Sequence, residues 1–205
     1  VYDLALRVYA LLKLHGAEVT LTLLAPNHLL RGSSPVSDTF VHDRNEVFND
    51  AAWNRRNRPA TWPRGGQSYL DRRVAIAEKA VAGAPADRQV FLSFHADNHK
   101  PTGNAVTLFF HRNRHGYDRA SRDFGRKLLP AMGAGSRVKG RDLAVLRSNG
   151  IRLKLLIEMR NLAFDEHIWA IRYEQLRQRD AEKVVTALLS VLDGDGVATA
   201  GLMQR

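Results

Sequence analysis

The chain has 205 residues, 44% of them hydrophobic and 25% charged, with a formal net charge of +10 and no cysteine. Such proportions belong to a globular domain with an ordinary core, and no apolar run reaches the ~18 residues of a membrane span. The lack of cysteine excludes disulfides, thiolate ligands and a cysteine nucleophile together, so any metal must be held by histidine and carboxylate.

Residues 3–15 place Leu4, Val8, Leu11 and Leu12 on one helical face, and Gly16 supplies the stop. Val1 opens directly into this pattern without the charged and apolar regions of a signal peptide, so the start reads as a processed or truncated end. Residues 17–24 (AEVTLTLL) read as a strand. The stretch 25–68 carries Pro26, Pro35, Pro59, Pro63 and the Gly65-Gly66 pair with little periodicity. It reads as a long insertion with one short helix near 44–54, of the kind that forms a lid or binding loop.

Regularity resumes with an amphipathic helix over 69–82, strands over 89–94 (QVFLSF) and 102–111, and a helix over 117–130. A short strand is predicted at 143–146 (LAVL) and a longer buried one at 152–158 (RLKLLIE). Two closing helices follow at 165–178 and 180–193, the second with Val184, Val185, Leu188, Leu189 and Leu192 inward. The whole reads as one domain over 1–193 with a flexible Gly/Ala-rich tail at 194–205. Helices alternating with apolar strands give an α/β fold: an open, mostly parallel twisted sheet with helices on both faces. Such sheets bind ligands beyond the carboxyl ends of their parallel strands.

His95 follows directly on QVFLSF, and Glu158 ends RLKLLIE. If those strands are parallel, both side chains reach one rim, as a ligand and a general base would. A satisfied loop histidine and an ion-paired glutamate are the plainer alternatives, and spacing leaves both open. The other histidines have local readings. His15 caps a helix, His28 and His42 lie on the surface of the insertion, and His99 sits in a turn. His111 and His115 flank an Arg-rich turn suited to anions, and His167 faces solvent.

Ten Lys/Arg between Lys100 and Arg141 stand against only Asp118 and Asp123. This field suits a polyanionic partner, or is a solvated basic face. The segment 53–66 interleaves Trp53 and Trp62 with Arg55, Arg56, Arg58 and Arg64, a pattern suited to stacking on sugars or bases, or to an ordinary packed loop. Nucleic acid is disfavoured, because no helix-turn-helix, zinc-finger or RNP signature is present.

The stretch VFLSFHADNHKPTGNAVTLFF (90–110) resembles a motif of the zinc-dependent N-acetylmuramoyl-L-alanine amidases, in which a strand ends in Ser-(Ile/Phe)-His-Ala-(Asn/Asp). DLAVLRSNGIRLKLLIEMRNLAFDEHIWAI (142–171) resembles their final motif, where Val-Leu-Arg precedes a strand ending in the catalytic glutamate. ALRVYALLKLHGAEVTLT (5–22) and YLDRRVAIAEKAV (69–81) are similar to the family's first helix–strand unit and its Leu-x-x-Arg-x-x-x-Ala helix. The resemblance implies that His95 ligates Zn2+, that Glu158 is the general base, and that Asn98, Arg147 and Arg160 are candidates for holding substrate. It places the family's other two zinc ligands upstream of Val1, and it leaves 25–68 outside the shared pattern. Arg160 stands where the family has Gly, and Ala163-Phe164 where it has Ser/Thr-Asn. The implied function is hydrolysis of the amide between N-acetylmuramic acid and L-alanine in peptidoglycan, in the periplasm or cell wall, with an anionic cell-wall polymer as a further partner. The alternative is a non-catalytic module that binds peptidoglycan or another polyanion on the same scaffold.

Overall fold

In the computed structural model, residues 1–24, 47–56 and 66–192 are described. The expectations for 25–46, 57–65 and the 194–205 tail lie outside them, and with them His28, His42, Arg58, Trp62 and Arg64. In chain order the elements are α1 (Tyr2–Leu14), β1 (Leu23–Leu24), β2 (Val47–Phe48), α2 (Ala51–Arg56), α3 (Gln67–Val81), β3 (Val90–Asp97), β4 (Thr107–Asn113) and β5 (Gly116–Tyr117). Then come α4 (Arg119–Met132), β6 (Arg137–Arg141), α5 (Ala144–Arg147), β7 (Leu153–Asn161), α6 (Asp165–Arg172) and α7 (Glu174–Leu192).

Strand β7 is central in the sheet and covered on both faces, so its apolar residues point both ways. It pairs parallel with β3 and antiparallel with β4, which in turn pairs parallel with β6 and antiparallel with β5. The sheet is therefore open and mixed, with its two longest ladders parallel. Period-two alternation divides the core. Leu108, Phe110, Leu155, Ile157 and Met159 face one way, onto Leu4 and Val8 of α1, Phe124 and Leu128 of α4, and Val184 and Leu188 of α7. Phe91, Phe109 and Leu156 face the other, onto Val74 and Ala77 of α3 and Val145 and Leu146 of α5. Helices thus cover both faces.

Several elements depart from the sequence reading. Of 17–24, only Leu23–Leu24 finds a ladder partner, antiparallel to β2 in a separate two-stranded sheet. The helix expected near 44–54 is instead β2 followed by α2, tied by Asn54 Nδ2 donating to Phe48 O. LAVL is a helical turn, α5, since a short apolar run does not distinguish a strand from a buried helix segment. The closing helices divide at Tyr173, which is extended at φ −84° and ψ 127°. Strand β6 was hidden because RVKGR carries cations where a strand usually carries apolar residues, although their alternation is itself a period-two signal.

Gly140 in β6 allows that strand to lie against β4. A Cβ there would sit 2.6 Å from Arg112 Cδ, 2.7 Å from Arg112 Cβ and 2.9 Å from Phe110 Cζ. Phe110 is a core side chain and the Arg112 Cβ is fixed to its backbone, so neither yields cheaply. Gly140→Ala is expected to destabilise by ~1–3 kcal/mol, read as a lower urea midpoint at unchanged slope. An unchanged midpoint would contradict this packing.

Candidate functional site

His95 and Glu158 lie inside their strands rather than beyond them, because both ladders continue through the polar rim. They are register partners across the β3–β7 ladder, which shifts immediately after His95. On the other side Glu158 is the partner of Thr107. Alternation puts His95 on the face of Phe91 and Ser93, and Glu158 on that of Leu156, so both side chains rise on the α3/α5 side at the carboxyl rim.

Each group carries the marks of its setting. His95 is exposed at its tip, with Nε2 3.2 Å from Ser93 Oγ. Partial enclosure of the ring, and then the Arg73 charge, lower its pKa and favour neutral imidazole. Glu158 is half-buried, and its Oε2 is buried without a hydrogen-bond partner among the described residues. Burial, followed by the nearby Asp97 charge, raises its pKa to about 7, with Arg141 pulling the other way. A buried carboxylate oxygen with no partner is costly, and such atoms gather where a substrate, water or ion is handled.

Behind the rim lies a polar clamp. Asn161, 3% exposed, donates from Nδ2 to His99 O at 2.8 Å, Gly103 O at 2.8 Å and Thr102 Oγ1 at 3.0 Å. Its Oδ1 accepts from Ala163 N at 3.0 Å, and its backbone N–H donates to His167 Nδ1 at 2.8 Å. Thr102 also donates to the Asp97 carboxylate, and Arg137 donates to Thr102 O. The turn after β3 is thereby fixed to the end of β7, and Asp97 is fixed beside Glu158.

The remaining predicted residues lie elsewhere or are engaged. Arg160 forms a fork with Asp180, at 2.8 Å from Nε to Oδ2 and 2.6 Å from Nη2 to Oδ1, and so braces β7 against α7. Arg147, exposed at the end of α5, donates from Nε to Asp142 Oδ1 at 2.8 Å. Asn98 is exposed in the turn, its backbone N–H capped by Asp97 Oδ1 at 2.7 Å. His15 ends α1 as expected. His111 Nδ1 lies 3.6 Å from Asp142, and His115 Nε2 accepts from Arg114 Nε at 2.9 Å. His167 does not face solvent: it is 6% exposed, turned inward to accept the Asn161 N–H. Sequence reading passed over Asp97, Thr107, Asn161 and Arg141. Asp97 alone was signalled, two residues beyond His95 in the same motif.

A catalytic zinc takes three protein donors and a water. A neutral imidazole at His95, beside a carboxylate free of hydrogen bonds, suits such an ion in chemistry. Among the described residues, no group of three His, Asp or Glu side chains could hold a metal. These residues alone do not complete the shell, and no step below passes through the ion.

Comparison with solved structures gives the fold a counterpart. The chain is similar to the CwlD amidase from Clostridioides difficile, solved in complex with the GerS lipoprotein, at 14% identity and TM-score 0.60 over 94% of this chain and 84% of that one. It is similar to the N-acetylmuramoyl-L-alanine amidase AmiC2 of Nostoc punctiforme at 17% identity and TM-score 0.58, over 93% and 81%. Against the catalytic domain of CwlV, an N-acetylmuramoyl-L-alanine amidase from Bacillus (Paenibacillus) polymyxa, identity is 23% and TM-score 0.46, and the chain spans 65% of that domain. No family model and no curated protein matches the sequence. The chain thus has the fold of the N-acetylmuramoyl-L-alanine amidases.

His167 gives the clamp a pH dependence. Its Nδ1 accepts a hydrogen bond, which only the neutral ring can do. Burial, then the Arg160 charge, lower its pKa, against Glu166 and Asp180. An unfolded histidine titrates near ~6.5, so in the window below that value the unfolded chain binds the additional proton. Stability is therefore full above the window and falls as pH drops through it. Urea midpoints are expected to decline below pH ~6.5, with a shallower slope in His167→Gln; an identical slope in the variant would contradict the assignment.

Proposed function

We propose that this protein hydrolyses the amide bond between N-acetylmuramic acid and L-alanine in peptidoglycan, with Glu158 as general base and His95 as one ligand of a catalytic zinc. The observation that carries this reading is the pairing of His95 with Glu158 across one ladder, with Glu158 Oε2 buried and unpartnered. The amidase fold supports it. The same reading takes 1–193 as the catalytic domain, the place of action as the periplasm or cell wall, and an anionic wall polymer as a second partner. Among the described residues no helix is long and apolar enough to cross a membrane.

Amide hydrolysis needs a nucleophilic water, a proton acceptor and a proton for the departing amine. Glu158 Oε2 takes the proton as the water oxygen bonds to the carbonyl carbon. It gives that proton to the nitrogen as the C–N bond breaks, leaving a carboxyl on the lactyl group and a free L-alanine amine. A pKa of about 7 suits both halves of this shuttle, since neither protonation state is strongly preferred near neutrality. A zinc held in part by His95 supplies carbonyl polarisation and a more acidic water when bound. Asp97, fixed by Thr102, keeps Glu158 basic.

Glu158→Gln preserves shape and removes the proton acceptor. It is expected to lower kcat by ~10²–10⁴-fold with little change in melting temperature, while His95→Ala loses bound zinc as well as activity. Zinc content is measured by atomic absorption and turnover on purified peptidoglycan. Full activity in Glu158→Gln would remove the base assignment. Wall binding without amide cleavage in the wild type would favour a non-catalytic module instead.

A further inference from the structure

Three of the ten cations between Lys100 and Arg141 are held by partners on α4, β5 or the turn after β3. Arg122 bonds Asp123 at 2.8 Å and lies over Tyr117, Arg126 is 4.0 Å from Asp123, and Arg137 bonds Thr102 and Thr107. Lys139 and Arg141 are exposed on β6, and, as for Arg112, Arg119 and Lys127, no carboxylate pairs with either among the described residues. Asp142, the neighbouring acid, is taken by Arg147 at 2.8 Å and faces His111 at 3.6 Å.

Register places these two cations relative to the site. Arg137, Lys139 and Arg141 alternate along β6 and so share one face. Thr107 is the partner of both Arg137 and Glu158, and Phe109 is the partner of both Lys139 and Leu156. The cationic face of β6 is therefore the face that carries Glu158, two strands away. Arg141 folds its guanidinium over the Phe109 ring, 5.9 Å from the centroid, and its charge is felt by Glu158. Edge strands often carry cations to prevent edge-to-edge pairing, which accounts for Lys139 pointing to water. It does not account for Arg141, which stands one step beyond the Lys139–Phe109–Leu156 row, away from Glu158, and turns its guanidinium back over the Phe109 ring.

We propose that Lys139 and Arg141 form a carboxylate-binding subsite on β6, on the face that carries Glu158 and below it along the sheet, which receives the acidic peptide portion of the substrate. A guanidinium resting on an aromatic face keeps its planar N–H fork free for a carboxylate, which a lysine alone cannot match in geometry. The choice of a peptide ligand rests on the amidase reading. The subsite would lie on the leaving-amine side of the scissile bond, with Glu158 between it and His95.

The test uses a short peptide beginning with L-alanine and carrying two free carboxylates, against the same peptide with both amidated. Binding is measured by calorimetry to the wild type, Lys139→Gln, Arg141→Gln and the double variant. The wild type is expected to prefer the carboxylate form at least tenfold, and the double variant to lose that preference while binding the diamide and melting as before. On peptidoglycan, Arg141→Gln raises KM rather than lowering kcat. A preference retained by the double variant, or absent from the wild type, overturns the subsite. Glu158→Gln separates the two readings, because it should abolish cleavage and keep the peptide preference. An Arg141-dependent preference in a protein that cleaves no amide would support the subsite and count against the amidase reading.

Discussion

The parallel ladder between β3 and β7 is the constraint on which the rest of the structure depends. It runs from Val90 opposite Leu153 to His95 opposite Glu158, then shifts by one residue before Asp97 meets Asn161. Because side chains alternate, a slip of one residue along β7 would send Glu158 to the side of Leu155 and Ile157, both 0% exposed. Burying a carboxylate there would be prohibitive, so the apolar pattern that forms the core also selects the register of the site. The shift after His95 re-aims the chain at the rim, where bulges are commonly found.

The rim is held by polar contacts rather than by apolar packing. Asn161 uses its whole side chain on the turn after β3 and on Ala163, and its backbone N–H on His167. Thr102 couples that clamp to Asp97, and Asp97 acts on Glu158 through space. A fully satisfied network of this kind is rigid. At this rim, among the described residues, the buried oxygen left without a partner belongs to the residue proposed to do chemistry. Arg160 belongs to the bracing: its fork on Asp180, which is 5% exposed, ties β7 to α7.

What was legible in the sequence follows from the periods involved. The apolar runs QVFLSF and RLKLLIE carried the two central strands, and the sheet rule then carried His95 and Glu158 to one rim. The amphipathic helices over 69–82 and 180–193 were equally plain. Less plain were elements whose signal is short or cationic: LAVL, too brief to separate strand from helix, and RVKGR, whose alternation is of charges. Long-range polar contacts were not legible at all. Nothing local marks Asn161 as the partner of His99 and Gly103, some sixty residues away, or turns His167 inward, since those pairings exist only once the strands are in register. The sheet's direction was read as mostly parallel, and the antiparallel β4–β7 pairing appears only in three dimensions.

The most direct test of the account is the identity of the bond cleaved. Purified peptidoglycan is incubated with zinc-supplemented protein and the products are separated by mass and end-group analysis. The account predicts free L-alanine amino termini in equal number to muramic acid residues stripped of peptide, with glycan chains intact and with neither product formed by Glu158→Gln. Cleavage at a glycosidic or peptide bond, or the same products from the Glu158→Gln protein, would contradict it.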